Sequence, residues 1–138
     1  HYEACRNLHR DLVALRQLGH HPGLALNPGT NLDLIEYVIE EIDHVLVMTN
    51  NPGFPDQRLT PQILRKIERL RDWRDESGRS LQIAVDGNIS LDNATELVAA
   101  GAELLTLPQN ALEDASKLTE VIEAGLSPDS EKPASPSL

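Results

Sequence analysis

A single cysteine, Cys5, stands in this chain of 138 residues, so no internal disulfide can form. A lone thiol fits a reducing cytoplasm, the compartment expected for the protein. His9 lies one helical turn away, near enough to activate a thiol, but a partly buried, inert cysteine is the plainer reading. No apolar run approaches the ~18–20 residues that a membrane span needs, and no basic-then-apolar leader opens the chain. The first residue is His1 rather than Met, so a preceding translated segment is expected. Positive charge is also scarce: 12 Lys and Arg face 22 Asp and Glu, a formal charge of −10. Such a surface repels phosphate backbones and anionic lipid, which argues against nucleic acid and membrane as partners. Solubility alone accounts for the acidity. No GxGxxG or Walker-type glycine run follows any apolar segment, which disfavours a nucleotide-binding domain.

What the chain does contain is an alternation of two periods. From Glu3 to Leu18 the residues Leu8, Leu12, Leu15 and Leu18 recur at helical steps, with Gly19 as C-terminal cap. Gly23-Leu24-Ala25-Leu26 reads as a short apolar strand stopped by Asn27-Pro28-Gly29. A second helix is predicted from about Leu32 to Glu41, with Leu32, Ile35, Val38, Ile39 and Ile42 inward. His44 to Met48 is the next strand, followed by a long loop from Thr49 to Leu59. Thr60-Pro61 starts a helix carrying Ile63, Leu64, Ile67 and Leu70, which ends before Gly78. Leu81 to Asp86 is a strand, Gly87-Asn88 a turn, and Ser90 caps a helix stopping at Gly101. Glu103 to Leu107 is the last strand, and Ala111 to Ala124 the last helix. Residues 1–124 form the folded part; residues 125–138, rich in Ser, Pro and charge, read as a disordered tail.

A helix followed by four strand–helix units implies a parallel sheet covered by helices, either doubly wound or part of a barrel. Chemistry in such folds gathers at the C-terminal ends of the strands. Asp86 is the leading candidate there. It ends an apolar strand and precedes a glycine, so its carboxylate can hold a metal or move a proton. The competing reading makes Asp86 the cap of its own turn, through Asn88 and Ile89. Met48 reads as core before lid, His20-His21 as surface loop, and Trp73 as packing.

Taken in order, the strand ends resemble the ribulose-phosphate 3-epimerase family. Gly23-Leu24-Ala25-Leu26-Asn27-Pro28-Gly29-Thr30 is similar to that family's fifth strand and turn. Val45-Leu46-Val47-Met48-Thr49, then Asn51-Pro52-Gly53-Phe54 and Gln57, resembles its sixth. Val85-Asp86-Gly87 with Ile89 resembles the seventh, and Gly101-Ala102 precedes the eighth. His1 and Glu3 are similar to the ending of the fourth. The resemblance, collinear to Ala124, implies strands four to eight of a (β/α)8 barrel. It further implies C3 epimerisation of a ketose or ketose phosphate through an enediolate, with two aspartates as acid and base. A divalent metal (zinc, iron, manganese or cobalt) would be held by both aspartates and two histidines. Asp86 corresponds to the second aspartate, as metal ligand and proton carrier. Met48 corresponds to a methionine shielding the intermediate. Substrate contacts are implied at Met48, Gly53, Phe54, Gly87 and Asn88.

The same resemblance exposes departures. The other aspartate and both histidines belong to the first three strands, and His1, His20, His21 and His44 do not take their places. These residues alone are therefore expected neither to hold the metal nor to epimerise. The family grips phosphate through glycine-rich turns. Here Pro55-Asp56, Asn88 and Pro108-Gln109 stand where glycine or serine is usual. Each proline removes a backbone donor, and Asp56 opposes each phosphate charge by roughly 3 kcal/mol at about 5 Å. Two functions follow: an epimerase in its full-length form, or a degenerate homologue serving as scaffold or interaction domain. Open sheet edges add the expectation of a homo-oligomer.

Overall fold

The computed structural model describes residues 1–54, 59–113 and 115–127. Four parallel strands, β1 (Gly23–Leu26), β2 (His44–Met48), β3 (Gln82–Asp86) and β4 (Leu104–Leu105), pair in the order β1-β2-β3-β4. The sequential order lacks the reversal of a doubly wound sheet, so the architecture is a segment of a βα barrel. Helices α1 (Leu8–Gln17), α2 (Pro61–Ser77) and α3 (Leu91–Ala100) cover it, and α4 (Ala115–Leu126) packs on α3.

Alternation along the strands decides where the core lies. Leu24, Leu26, Val45, Val47, Ile83 and Val85 are buried on the helix-covered face. Ile63, Leu64, Ile67 and Leu70 of α2 meet them, as do Ala94 and Leu97 of α3 and Leu12 of α1. Each large side chain buried there contributes about 1.5–3 kcal/mol. The opposite row, Ala25, Leu46, Met48, Ala84 and Asp86, is the barrel-lumen face. Ala84 is buried, Leu46, Met48 and Asp86 are half-buried, and Leu104 is 52% exposed.

Helix α2 starts and stops as its sequence demands, with Pro61 in the first turn and Gly78 left-handed at φ 63°. Elsewhere the structure corrects the sequence reading. The first helix begins at Leu8, not Glu3, because Cys5 is extended (φ −92°, ψ 127°) after a 3-10 turn at Tyr2–Ala4. The predicted helix over 32–41 is two 3-10 segments, Leu32–Leu34 and Glu36–Glu41. Its apolar residues step by three at 32, 35 and 38, the 3-10 period, and β-branching at Ile35, Val38 and Ile39 weakens the α alternative. Strand β4 spans only two residues. The last helix is preceded by a 3-10 segment, Gln109–Glu113, and runs on to Leu126. The remainder of the expected tail, residues 128–138, lies outside the described residues.

Candidate functional site

The strand register sets the site. Met48 and Asp86 are cross-strand neighbours at the C-terminal ends of β2 and β3, both half-buried on the lumen face. The backbone around Asp86 is held from β2. Thr49 N–H donates to the Asp86 carbonyl at 2.8 Å, and the Thr49 hydroxyl donates to the Gly87 carbonyl. Thr49 is 6% exposed, the one buried polar residue of the described core. Gly87 takes φ 108°, and a Cβ there would overlap Asn50 Oδ1. Asn50 in turn donates from Nδ2 to the Phe54 carbonyl at 3.2 Å, and Phe54 N–H bonds the Asn51 carbonyl at 3.0 Å. The turn carrying Gly53 (φ 84°) and the exposed Phe54 is thereby tied to the Asp86-Gly87 turn.

Asn88 keeps a left-handed backbone, φ 45°, which asparagine tolerates better than other non-glycine residues. Its carbonyl accepts from Asn93 Nδ2 at 3.2 Å, while Asn93 Oδ1 accepts from Ser90 N–H at 2.9 Å. The turn after β3 therefore retains a glycine-like path without the glycine. Among the described residues the Asp86 carboxylate has no hydrogen-bond partner, so the turn is not capped by it. Pro108 is exposed after β4, its carbonyl accepting from Ala111 N–H at 2.9 Å, and Gln109 opens the 3-10 segment. Pro55 and Asp56, with Gln57, lie outside the described residues.

A second polar cluster, missed at the level of sequence, caps β1. Glu3 Oε1 accepts from Asn27 N–H at 3.0 Å and from the Thr30 hydroxyl. Lys66 Nζ donates to the carbonyls of Asn27 and Pro28 at 2.9 and 2.8 Å. Partial burial opposes ionisation of Glu3, but the bonds from Thr30 and Asn27 outweigh it and hold the carboxyl below its usual range. Burial lowers the Lys66 ammonium pKa, against which the Glu3 charge works. A lysine at helical spacing from Ile63 and Leu70, on an otherwise buried stripe, was the available signal.

The histidines do not converge. His1 Nδ1 meets Glu3 at 3.1 Å, His21 Nδ1 meets Asp43 at 3.0 Å before the strands begin, and His44 opens β2. Among the described residues no group of three or more His, Cys, Asp and Glu could share a metal ion. Cys5 donates to the His1 carbonyl at 3.2 Å, not to His9. Trp73 packs against the core, with the Arg69 guanidinium 5.0 Å from its ring centre. A cavity of about 340 Å³ sits beside Trp73, Ile42 and Leu81, at the opposite ends of the strands from Asp86. No helix among the described residues is long and apolar enough to cross a membrane.

Comparison with known proteins converges on one family. The sequence model of the ribulose-phosphate 3 epimerase family matches residues 1–110. The ribulose-phosphate 3-epimerase of Synechocystis sp. is 41% identical over 104 residues, 75% of this chain and 45% of the relative. That of Bacillus subtilis is 41% identical over 106 residues, 76% of this chain and 49% of the relative. That of Escherichia coli K12 is 38% identical over 104 residues, 75% and 46% respectively. The chain thus spans about half the length of the curated relatives it matches.

Proposed function

The chain belongs to the ribulose-phosphate 3 epimerase family, and on that premise we propose that the whole protein moves a proton at C3 of a ketose phosphate, with Asp86 as carrier. Supporting this reading is one observation: a carboxylate without a hydrogen-bond partner among the described residues ends β3 on the lumen face, beside Met48, on a backbone pinned by Thr49. The carboxylate takes the C3 proton; the C–H electron pair becomes the C2–C3 double bond of an enediolate, and charge develops on the C2 oxygen. An acid on the other face returns a proton to C3 and inverts it. Met48, the cross-strand neighbour of Asp86, is assigned the role of keeping water from that intermediate with its apolar thioether.

The implied divalent metal is tested by the donor set. Asp86 supplies one carboxylate, its neighbours Met48, Thr49 and Asn50 supply no anionic donor, and no acid–histidine group of three forms among the described residues. Such sites need three or four ligands. The described residues do not fit the metal by themselves, and no step here depends on it.

Asp86→Asn keeps the shape and removes the base. Deuterium uptake from heavy water into C3 of ketose phosphates should fall about 10²- to 10⁴-fold in this variant of the whole protein. Undiminished exchange in the variant would sink the assignment. A non-catalytic scaffold role is the second reading, favoured by Pro108, which offers no N–H in the turn after β4. Tight, stoichiometric binding of a sugar phosphate at the Asp86 site would rule it out.

A further inference from the structure

Against the overall charge of −10, one cavity is lined by no acid. It is an open depression of about 200 Å³ between the segment after β1 (Thr30, Asn31) and Gln62, Arg65, Lys66 and Arg69 of α2. Positions 62, 65, 66 and 69 share one helix face. Two of the cations are held from behind. Lys66 spends two of its three N–H bonds on the Asn27 and Pro28 carbonyls. Arg69 pairs with Asp33 and lies over Trp73. Arg65 is exposed and has no hydrogen bond or ion pair among the described residues. Asp33 and Glu3 offset two of the three cations, which leaves one positive charge in surplus at the wall.

We propose that this cavity binds a phosphate-class oxyanion, with Arg65 as the principal contact and Lys66, Arg69 and the Gln62 amide as prearranged donors. A guanidinium offers a planar fork matched to such oxygens, and its neighbours are already ordered by other contacts, so little entropy is lost on binding. An anion there would also offset the cost of keeping the half-buried Lys66 charged. The small volume suits a single phosphoryl group, and the acidic remainder of the chain repels a nucleic acid. The cavity is separate from Asp86. It lies against α2, which covers the buried face of the sheet, whereas Asp86 stands on the lumen face. The inference is therefore independent of the proposed epimerase activity.

Trp73 is the sole tryptophan, and its contact with Arg69 makes it a reporter. The full chain is titrated with inorganic phosphate and, separately, with ribulose 5-phosphate, at ionic strength fixed with chloride. Inorganic phosphate should give a saturable change in tryptophan emission. Arg65→Gln, at an exposed position with folding checked by circular dichroism, should weaken it about tenfold, the loss of about 1.4 kcal/mol. A non-saturating response like that of chloride, or an unchanged affinity in Arg65→Gln, overturns the site. Saturation by the sugar phosphate alone, insensitive to Arg65→Gln, also overturns it, while leaving the Asp86 reading intact. Phosphate binding lost in Arg65→Gln without any C3 exchange has the reverse meaning.

Discussion

Gly87 shows how closely the candidate site is built around single residues. Its φ of 108° is costly for any side chain, and a Cβ would overlap Asn50, whose amide holds the Phe54 carbonyl. Moving Asn50 aside would release the turn before residue 55. Gly87→Ala should therefore cost about 1–3 kcal/mol, read as a lower urea midpoint at unchanged slope. An unaltered midpoint would show that the turn is not constrained in this way. The Asp86-Gly87 pair was legible in the sequence as an apolar run ending in a carboxylate and a turn residue. The parts played by Thr49 and Lys66 were not. Their hydrogen bonds reach Gly87, Asn27 and Pro28 across 38, 39 and 38 positions, and no local pattern encodes such distances.

At the scale of elements, strands β1, β2 and β3 and helices α2 and α3 follow their sequence signals to within about a residue, because apolar period and cap residues agree there. The signals conflict over 32–41, where an apolar step of three and β-branched residues favour 3-10 turns. Burial of Leu32, Ile35 and Ile42 anchors that connection, and an ionic network ties its end to α1. Arg16, near the end of α1, pairs with Asp43 at 2.7 Å and Glu41 at 3.1 Å, and His21 adds to Asp43. The Arg16 guanidinium, against a smaller opposing effect of burial, holds the Asp43 carboxyl below its ordinary value of 3.8. A carboxyl depressed in the folded state contributes stability in full above that unfolded value, and loses it as pH falls through the lower folded value. Thermal stability should accordingly decline on acidification below about pH 4. Asp43→Asn should flatten part of that decline in a series of melting scans. Parallel pH profiles for the two proteins would count against the network.

At the scale of the whole molecule, the sheet formed by the described residues is open at both edges. Among the described residues, β1 has a strand neighbour on one side only, as has the two-residue β4. The row Ala25, Leu46 and Met48, with Leu104, faces away from the helices. Unpaired edges and an uncovered lumen face favour further pairing, since each orphan backbone group and apolar side chain gains a partner. The chain as it stands should show a mass in light scattering that rises with concentration; one monomeric mass throughout a wide range would contradict this.

The order of elements, the strand positions and the family were determined by the sequence itself. They rest on local period, on caps and turns, and on motifs read in a line. Only the tertiary structure decided that Met48 stands beside Asp86, that Thr49 and Asn50 hold the turn, and that Arg65, Lys66 and Arg69 wall a cavity with residues from beyond β1. The physical reason is that strand register and helix packing bring together groups far apart along the chain, and the free energy of such contacts depends on distance in space.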